Sequence, residues 1–258
     1  MKDGHQPFIS VRGLYKSFNG KPVLQGVDFD VGAGETLVVL GGSGEGKSVI
    51  LRHLNGLVEP DRGEVWVDGR SLKGLDEDQL FDVRKKVGMV FQLGALFDSQ
   101  TVYGNISYPL REHGALSERQ IGERVAELLA MVDLRGTERL YPAELSGGMQ
   151  KRVALARAIA AQPDILFFDE PTTGLDPIMG AIIDGLIVDC VKRLGSTAVA
   201  ITHDMASAKR IGDQVAMIHK GRIIWTGPPA TLMDSGNPVV DQFTHGRREG
   251  PIEMELRR

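Results

Sequence analysis

Short runs of apolar residues recur along the chain, each bounded by polar or glycine positions. They are Thr36–Leu40, Ile165–Phe168, Thr197–Thr202 and Val215–Ile218. Runs without polar alternation are typical of parallel strands that are covered on both faces. The stretches between the last three have a helical pattern, as the crossovers between parallel strands require. The pattern therefore predicts an α/β fold with a mainly parallel sheet.

The N-terminal region has a different pattern, in which β-prone pieces alternate with turns. Phe8–Val11 and Val23–Val31 flank Asn19-Gly20, a dipeptide typical of tight hairpins. Glu64–Val67 reads as a further strand, and Asp68-Gly69 follows it as a turn. We expect an antiparallel β-region before and around the parallel core.

The middle of the chain is predicted to be helical. Ser117–Gln120 is a capping box, and it opens a segment whose apolar residues share one helical face. These residues are Ile121, Val125, Leu128, Leu129 and Val132. A second helix is expected to start near Gly147. Residues from about 93 to 160 are therefore interpreted as a helical subdomain inserted into the α/β core.

Composition limits the class of protein. The 258 residues carry a net charge of −4, so no basic excess points to nucleic acid, and we expect no nucleic-acid partner. Cys190 is the single cysteine; it allows no internal disulfide and is expected to be a buried apolar residue. No apolar run approaches the roughly 20 residues that cross a bilayer, and Met1–His5 does not resemble a signal peptide. We expect the protein to be cytoplasmic. If it acts at a membrane, we expect it to be a peripheral subunit.

One glycine-rich stretch fits G-x-x-x-x-G-K-[ST], the phosphate-binding loop. Its residues are Gly41, Gly42, Ser43, Gly44, Glu45, Gly46, Lys47 and Ser48, with Val49 opening the following helix. The stretch lies between the Thr36–Leu40 run and that helix, as this loop requires. The backbone N–H groups and the helix N-terminus favour phosphate, Lys47 reaches the β- and γ-phosphates, and the Ser48 hydroxyl joins the Mg²⁺ shell. The sequence therefore predicts ATP and Mg²⁺ as ligands.

Two carboxylates follow the Ile165–Phe168 run. Asp169 is expected to hold Mg²⁺, directly or through water, and Glu170 to polarise the water that attacks the γ-phosphate. An acidic pair after a strand is also common as a solvated helix start. The phosphate loop upstream favours the catalytic interpretation.

A second glycine loop, Leu145–Gln150, precedes a helix about a hundred residues after the first loop. With it, the chain resembles the ATP-binding subunits of ABC transporters over about residues 8–235. The motifs that carry the resemblance are Gly41–Ser48, Gln92, Leu145–Gln150, Asp169-Glu170, Gly174-Leu175-Asp176 and His203, in that order.

The resemblance implies further roles. Phe18 would stack on adenine, with Tyr15 as the alternative. Gln92 would sense Mg²⁺ and the attacking water. His203 would contact the γ-phosphate, although a lone histidine at such a position is more often a helix cap or a surface residue. Asp176 would lie at a dimer interface. The residues that would bind the ATP of the opposite subunit are Ser146, Gly147 and Gly148. A homodimer holding two ATP molecules is therefore implied.

Two positions depart from the family pattern. Met149 stands where glutamine is commonest, and we expect the backbone anion site to tolerate it. Glu45 stands where serine or threonine is frequent. A carboxylate that faced the triphosphate would repel it, so we predict that Glu45 points to solvent.

The segment after Gln92 bears on the cargo. Gly94, Ala95, Leu96 and Phe97 would form an apolar socket for the membrane subunit, or would only pack the helical subdomain. This segment and the second glycine loop resemble the ATPases of Mla/Mce-type lipid transporters, as does Asp241–Gly246 near the C-terminus. Residues 236–258 would then form an extension that contacts the partner subunit, the alternative being a frayed tail.

That resemblance implies a phospholipid transporter of a bacterial inner membrane that maintains the lipid asymmetry of the outer membrane. Its other parts would be multi-span permease chains, a lipid-binding Mce-domain protein and a small STAS-like regulatory subunit. An importer for a polar solute such as an amino acid is the first alternative. A non-transport ABC ATPase is the second, although such proteins usually have a long coiled-coil insertion or two nucleotide domains.

Overall fold

Two sheets organise the protein in a computed structural model that describes residues 6–114 and 116–252. The strands are β1 (Ile9–Phe18), β2 (Lys21–Val31), β3 (Thr36–Leu40), β4 (Arg62–Val67), β5 (Arg70–Ser71), β6 (Val87–Val90), β7 (Ile165–Asp169), β8 (Thr197–Thr202), β9 (Gln214–His219) and β10 (Arg222–Gly227). The helices are α1 (Lys47–Leu54), α2 (Glu77–Lys85), α3 (Val102–His113), α4 (Glu118–Met131), α5 (Gly147–Ala158), α6 (Pro177–Leu194), α7 (Met205–Ile211) and α8 (Pro238–Thr244).

The larger sheet has the order β10-β9-β3-β8-β7-β6. Strands β9, β3, β8, β7 and β6 pair in parallel, and β10 pairs with β9 as an antiparallel edge strand. The predicted mainly parallel sheet is therefore confirmed. The carboxyl ends of β3, β7 and β8 lie side by side, since Leu40 pairs with Thr202 and Asp169 pairs with Ile201. This edge is where ligands bind in open α/β sheets.

The smaller sheet is antiparallel, with the order β2-β1-β4-β5. Its two predicted turns form as expected: Asn19 and Gly20 have φ of 51° and 75°, and Asp68 and Gly69 have φ of 51° and 70°. Positive φ at both central residues is the geometry of the type I′ turn, whose twist suits a hairpin.

Each central strand contributes side chains to two apolar layers, because successive side chains point to opposite faces of the sheet. From β3, Val38 and Leu40 join the layer that packs against the helical region, whereas Leu37 and Val39 join the layer under the antiparallel sheet and α1. Both faces are therefore buried, which explains the uninterrupted apolar runs.

The region predicted to be helical contains α3, α4 and α5. Ser117 caps α4 in the predicted capping box, and Ser146 caps α5 by accepting a hydrogen bond from the N–H of Met149. Cys190 is buried in α6, and this burial raises the pKa of its thiol to about 11. No helix in the described part of the chain is long and apolar enough to span a membrane.

The C-terminal region packs back on its own chain. Val240 of α8 is fully buried in the core, and Phe243 packs beside it. Gln242 exchanges two hydrogen bonds with the backbone of Ile252, from Nε2 to the carbonyl and from the N–H to Oε1. The frayed-tail alternative is therefore wrong for α8, whereas residues 245–251 are exposed. Residues 253–258 of the predicted extension, and the Met1–His5 segment, lie outside the described residues.

Candidate nucleotide site

The phosphate loop joins β3 to α1 at the carboxyl edge of the larger sheet. Gly46 occupies the N-cap position of α1 with φ of 96°, and no side chain caps the helix. Its carbonyl accepts the N–H groups of Val49 and Ile50 at 3.0 and 3.1 Å. Because the N–H groups of a helix's first turn lack partners within the helix, this end is suited to bind an anion.

Lys47 is buried at the base of the loop, with its side chain 6% exposed. Its Nζ donates to the carbonyls of Gly41 and Gly42 at 2.9 Å each. It also lies 3.2 Å from Oε1 of Glu170. The ammonium group is thereby held between the phosphate loop and the carboxyl edge of the larger sheet.

Asp169 ends β7 and faces the first turn of α1. Its Oδ1 accepts a hydrogen bond from the Ser48 hydroxyl at 3.2 Å. Burial raises the pKa of the Asp169 carboxyl above its usual range, and the neighbouring charge of Glu170 adds to the shift. A half-buried carboxylate beside a hydroxyl is an oxygen pair that suits Mg²⁺.

Glu170 lies at the centre of the site, with its side chain 10% exposed. Its backbone has φ of 50°, a left-handed conformation that costs energy for a non-glycine residue. Oε2 accepts hydrogen bonds from Nδ1 of His203 at 2.7 Å and from the Thr173 hydroxyl at 3.0 Å. His203 is half-exposed at the end of β8. These contacts fix the carboxylate in one orientation at the edge where Lys47 also lies.

Gln92 is exposed in the loop that follows β6. Its backbone carbonyl accepts a hydrogen bond from Nζ of Lys151, a buried residue of α5. Burial lowers the pKa of the Lys151 ammonium, while the charges of Asp169 and Glu170 raise it. Lys151 therefore ties the Gln92 loop to α5.

The second glycine loop and the Asp176 segment form a separate cluster. Asp176 caps α6 by accepting from the N–H groups of Ile178 and Met179. A Cβ on Gly148 would stand 2.6 Å from Cε of Met179, so α5 and α6 approach closely here. Ser146, Gly147 and Asp176 are exposed. None of the hydrogen bonds or ion pairs among residues 6–114 and 116–252 joins this cluster to Lys47 or Glu170.

Phe18 ends β1 beside the Asn19-Gly20 turn and is 40% exposed. Nζ of Lys16 lies 5.6 Å from the centre of its ring. Tyr15, the alternative, is 39% exposed, and its hydroxyl lies against the backbone of Gly26. Phe18 is the one of the two at the end of the hairpin.

Glu45 does not point to solvent as predicted. Its side chain is only 20% exposed, and Oε1 accepts a hydrogen bond from Nδ1 of His219 at 3.0 Å. The backbone N–H of Lys220 donates to its other oxygen. The prediction was wrong because repulsion from triphosphate excludes only the inward direction, and β9 offers donors on the other side.

Sequence reasoning missed three residues of the site: Thr173, Lys151 and His219. Lys151 had a detectable signal, since a lysine on the apolar face of a predicted helix needs an acceptor. Thr173 and His219 had none, because their partners depend on how distant segments meet.

Known proteins resemble the chain over most of its length. The ABC transporter family pattern matches residues 24–173. The probable ribonucleotide transport ATP-binding protein mkl of Mycobacterium leprae (strain TN) is 42% identical over 255 residues, 98% of this chain and 74% of that protein. The methionine import ATP-binding protein MetN of Carboxydothermus hydrogenoformans is 41% identical over 241 residues, 92% of this chain and 71% of MetN.

A lipid-transport protein is also similar. The intermembrane phospholipid transport system ATP-binding protein MlaF of Escherichia coli (strain K12) is 36% identical over 244 residues, which are 95% of this chain and 91% of MlaF. Among solved structures, the dimeric ATP-binding cassette MJ0796 bound to ADP and Pi matches with a TM-score of 0.79 at 32% identity, over 86% of this chain and 98% of that chain. The chain therefore belongs to the ABC transporter family, as an ATP-binding subunit that hydrolyses ATP.

Proposed function

We propose that Glu170 activates the water that attacks the γ-phosphate. The contacts of its carboxylate support this role: His203 and Thr173 orient one oxygen, and the other faces Lys47. Lys47 binds the β- and γ-phosphates, and His203 contacts the γ-phosphate while it holds Glu170. A general base needs an oriented carboxylate near the attacked atom, and the strained backbone of Glu170 is typical of such a position.

Mg²⁺ is proposed to bind at Ser48 and Asp169, with Gln92 approaching from its loop. Among the described residues no group of three or more His, Cys, Asp or Glu side chains could hold a metal ion. That finding fits Mg²⁺ bound with a nucleotide, since this ion takes few protein ligands and completes its shell with phosphate oxygens and water. Its chemistry would be to neutralise the charge that develops on the phosphates.

The second half of the site is proposed to come from another copy of the chain. Ser146, Gly147 and Gly148 form the N-terminus of α5, where Ser146 and Gly147 are exposed and Gly148 is buried, and Asp176 is exposed at the N-terminus of α6. A helix N-terminus of this kind is suited to bind phosphate. The dimeric form of MJ0796 bound to ADP and Pi supports the same arrangement.

An apolar groove beside the Gln92 loop is the proposed docking site for a permease helix. The groove holds about 290 Å³, and Phe91, Phe97 and Tyr108 line it while each is 40% or 41% exposed. Asn105 holds the loop by accepting from the N–H of Phe97 and donating to the carbonyls of Phe97, Gln100 and Thr101. Of the four socket residues, Leu96 packs on the core and Gly94 is buried, which supports the packing alternative for these two.

The proposed cargo is phospholipid, moved between the inner and outer membranes to maintain outer-membrane lipid asymmetry. The observation that carries this proposal is the similarity to MlaF, which spans 95% of this chain and 91% of MlaF. The subunit would bind the cytoplasmic face of the inner membrane with multi-span permease chains, a Mce-domain lipid-binding protein and a STAS-like subunit. The similarity to mkl and to MetN supports import of a polar solute as the second candidate.

Purification of the tagged complex from membranes tests the cargo. We expect mass spectrometry to detect glycerophospholipids, permease chains and a Mce-domain chain in stoichiometric amounts. An amino-acid-binding protein in place of the Mce-domain chain would overturn the lipid proposal. ATP hydrolysis that increases with DNA or ribosomes, without any membrane partner, would instead favour a non-transport ATPase.

A further inference from the structure

The phosphate loop, β2 and the β9–β10 turn pack closely at three glycines, two of which lie against backbone carbonyl oxygens. A Cβ on Gly46 would stand 2.8 Å from Cδ2 of Leu24 in β2. A Cβ on Gly221, in the β9–β10 turn, would stand 2.4 Å from the carbonyl oxygen of Val23. A Cβ on Gly41 would stand 2.7 Å from the carbonyl oxygen of Ile218 in β9. The loop, the β2 strand and the β9–β10 turn are therefore in direct contact.

Glu45 links the loop to this turn across 174 residues of sequence. Its carboxylate accepts from Nδ1 of His219 and from the backbone N–H of Lys220. The His219 side chain is 14% exposed, so the contact is largely shielded from water. A hydrogen bond to a shielded carboxylate is stronger than an exposed one.

The same turn is bound to the hairpin that carries Phe18. The N–H of Gln25 donates to the carbonyl of Gly221 at 2.8 Å, and Nε2 of Gln25 donates to the carbonyl of Lys220 at 3.0 Å. Gln25 lies in β2, and the first residue of β2, Lys21, pairs with Phe18. A continuous path of contacts therefore runs from the phosphate loop through the turn to Phe18.

We infer that Glu45 and His219 form a positioning pair that fixes the phosphate loop relative to the Phe18 hairpin. The inference rests on the proposed binding of phosphate by the loop and on the expectation that Phe18 stacks on adenine. The phosphate loop and the Phe18 ring are the two subsites. When they are held at a fixed separation, a ligand that occupies both gains affinity because its second contact is intramolecular. The pair should therefore matter for ATP, which reaches both subsites, and not for tripolyphosphate, which reaches only the loop.

The test measures the dissociation constants of Mg²⁺-ATP and of Mg²⁺-tripolyphosphate by calorimetry for Glu45→Ser and His219→Leu. We expect each variant to weaken ATP binding roughly 3- to 10-fold, about the net contribution of one intramolecular hydrogen bond. Tripolyphosphate binding should stay within about 2-fold of the unmodified chain, and the double variant should bind ATP no worse than the weaker single variant. His219→Asn retains a side-chain N–H and should restore binding. Gln214→Ala, at the exposed opposite end of β9, is the matched control.

Each other outcome has a definite meaning. Equal weakening of ATP and tripolyphosphate would overturn the inference, because the pair would then stabilise only the loop. Tighter binding of both ligands by Glu45→Ser would also overturn it, since Glu45 would then act as a repulsive charge. Phe18→Ala distinguishes a failure of the Glu45–His219 pair from a failure of the adenine contact. If Phe18→Ala leaves ATP affinity unchanged, the expected stacking of Phe18 on adenine is wrong. If it weakens ATP while the Glu45 and His219 variants do not, only the positioning pair is wrong.

Discussion

Charge balance dominates the site at the scale of single residues. Asp169 and Glu170 carry adjacent negative charges. Nζ of Lys47 in α1 lies 3.2 Å from Glu170, and the charges of both carboxylates oppose the lowering of the Lys151 pKa by burial in α5. Buried charges are tolerated in proteins when they are paired and hydrogen-bonded. Each of the four groups is therefore expected to affect both stability and turnover, and the two effects can be measured separately.

Replacing Glu170 by Gln should stop turnover while ATP still binds. The amide keeps the shape of the side chain but cannot accept the proton of the attacking water, so the rate should fall by roughly 10²- to 10⁴-fold. Phosphate release and ATP affinity, measured on the same sample, check this. Glu112→Gln, at an exposed position of α3, is the control. Near-normal turnover of Glu170→Gln would show that another group activates the water.

Replacing Asp169 by Asn should abolish Mg²⁺-dependent hydrolysis without lowering the thermal stability of the nucleotide-free protein at neutral pH. Burial raises the pKa of Asp169 in the folded state above its unfolded value. The folded state therefore binds more protons between these two values, and this carboxyl's contribution to the free energy of unfolding decreases as pH rises through that window.

Thermal melts in metal-free buffer, at pH values above and below that window, test the prediction. The melting temperature of Asp169→Asn minus that of the unmodified chain should increase as pH rises, because only the unmodified chain has this carboxyl to ionise. If this difference instead decreases as pH rises, burial is not the dominant influence on the pKa of Asp169.

At the scale of elements, a buried polar junction connects α6 and α7. Asp184 of α6 is fully buried, and its Oδ2 accepts from the Ser207 hydroxyl at 2.9 Å and from Arg210 at 3.0 Å. The Ser207 hydroxyl also lies 3.1 Å from that of Thr172, two residues after Glu170. The helix that follows Asp176 is thereby joined to the helix that follows His203.

Asp184→Ala should lower the free energy of unfolding by about 1–3 kcal/mol, because it leaves buried donors without their acceptor. Denaturant unfolding measures this loss. Asp189→Ala, at an exposed position of the same helix, should change stability by less than about 0.5 kcal/mol. Equal effects of the two substitutions would show that the junction does not stabilise the pair of helices.

The sequence predicted elements well where the apolar pattern was strong. The β8 prediction matched Thr197–Thr202 residue for residue. The pattern missed α2, since Val83 is the only one of its nine residues that is buried, and it missed β6, which has four residues. The contacts among Ser48, Asp169 and Glu170 follow from strand ends that share one edge. The Glu45–His219 contact could not be predicted, because it depends on the packing of the β9–β10 turn against the loop.

At the scale of the whole molecule, the C-terminal helix α8 packs into the core of its own chain. Val240 and Phe243 pack into the core, so a cut near residue 240 would remove part of it. The proposed extension of residues 236–258 is better tested by a cut after Arg247. That cut keeps the bond from Gln242 to the Arg247 carbonyl.

Removal of residues 248–258 should leave the melting temperature within a few degrees and weaken subunit pairing. The buried side chains of α8 remain, whereas any surface that the last residues present to a neighbour is lost. Sedimentation of the ATP-bound complex measures the pairing, and thermal unfolding is the control for the fold. Unchanged pairing would contradict the proposed contact of the extension with the partner subunit.

The central claim is that the Lys47–Glu170 half of the site is completed by Ser146–Gly148 of a second copy. Light scattering of Glu170→Gln after gel filtration, with and without Mg²⁺-ATP, tests it most directly. The variant should have the mass of one chain, 28.1 kDa, without nucleotide and twice that mass with Mg²⁺-ATP. Adding Ser146→Arg should leave ATP bound to a single chain. If Glu170→Gln binds ATP and keeps the mass of one chain, the claim is contradicted.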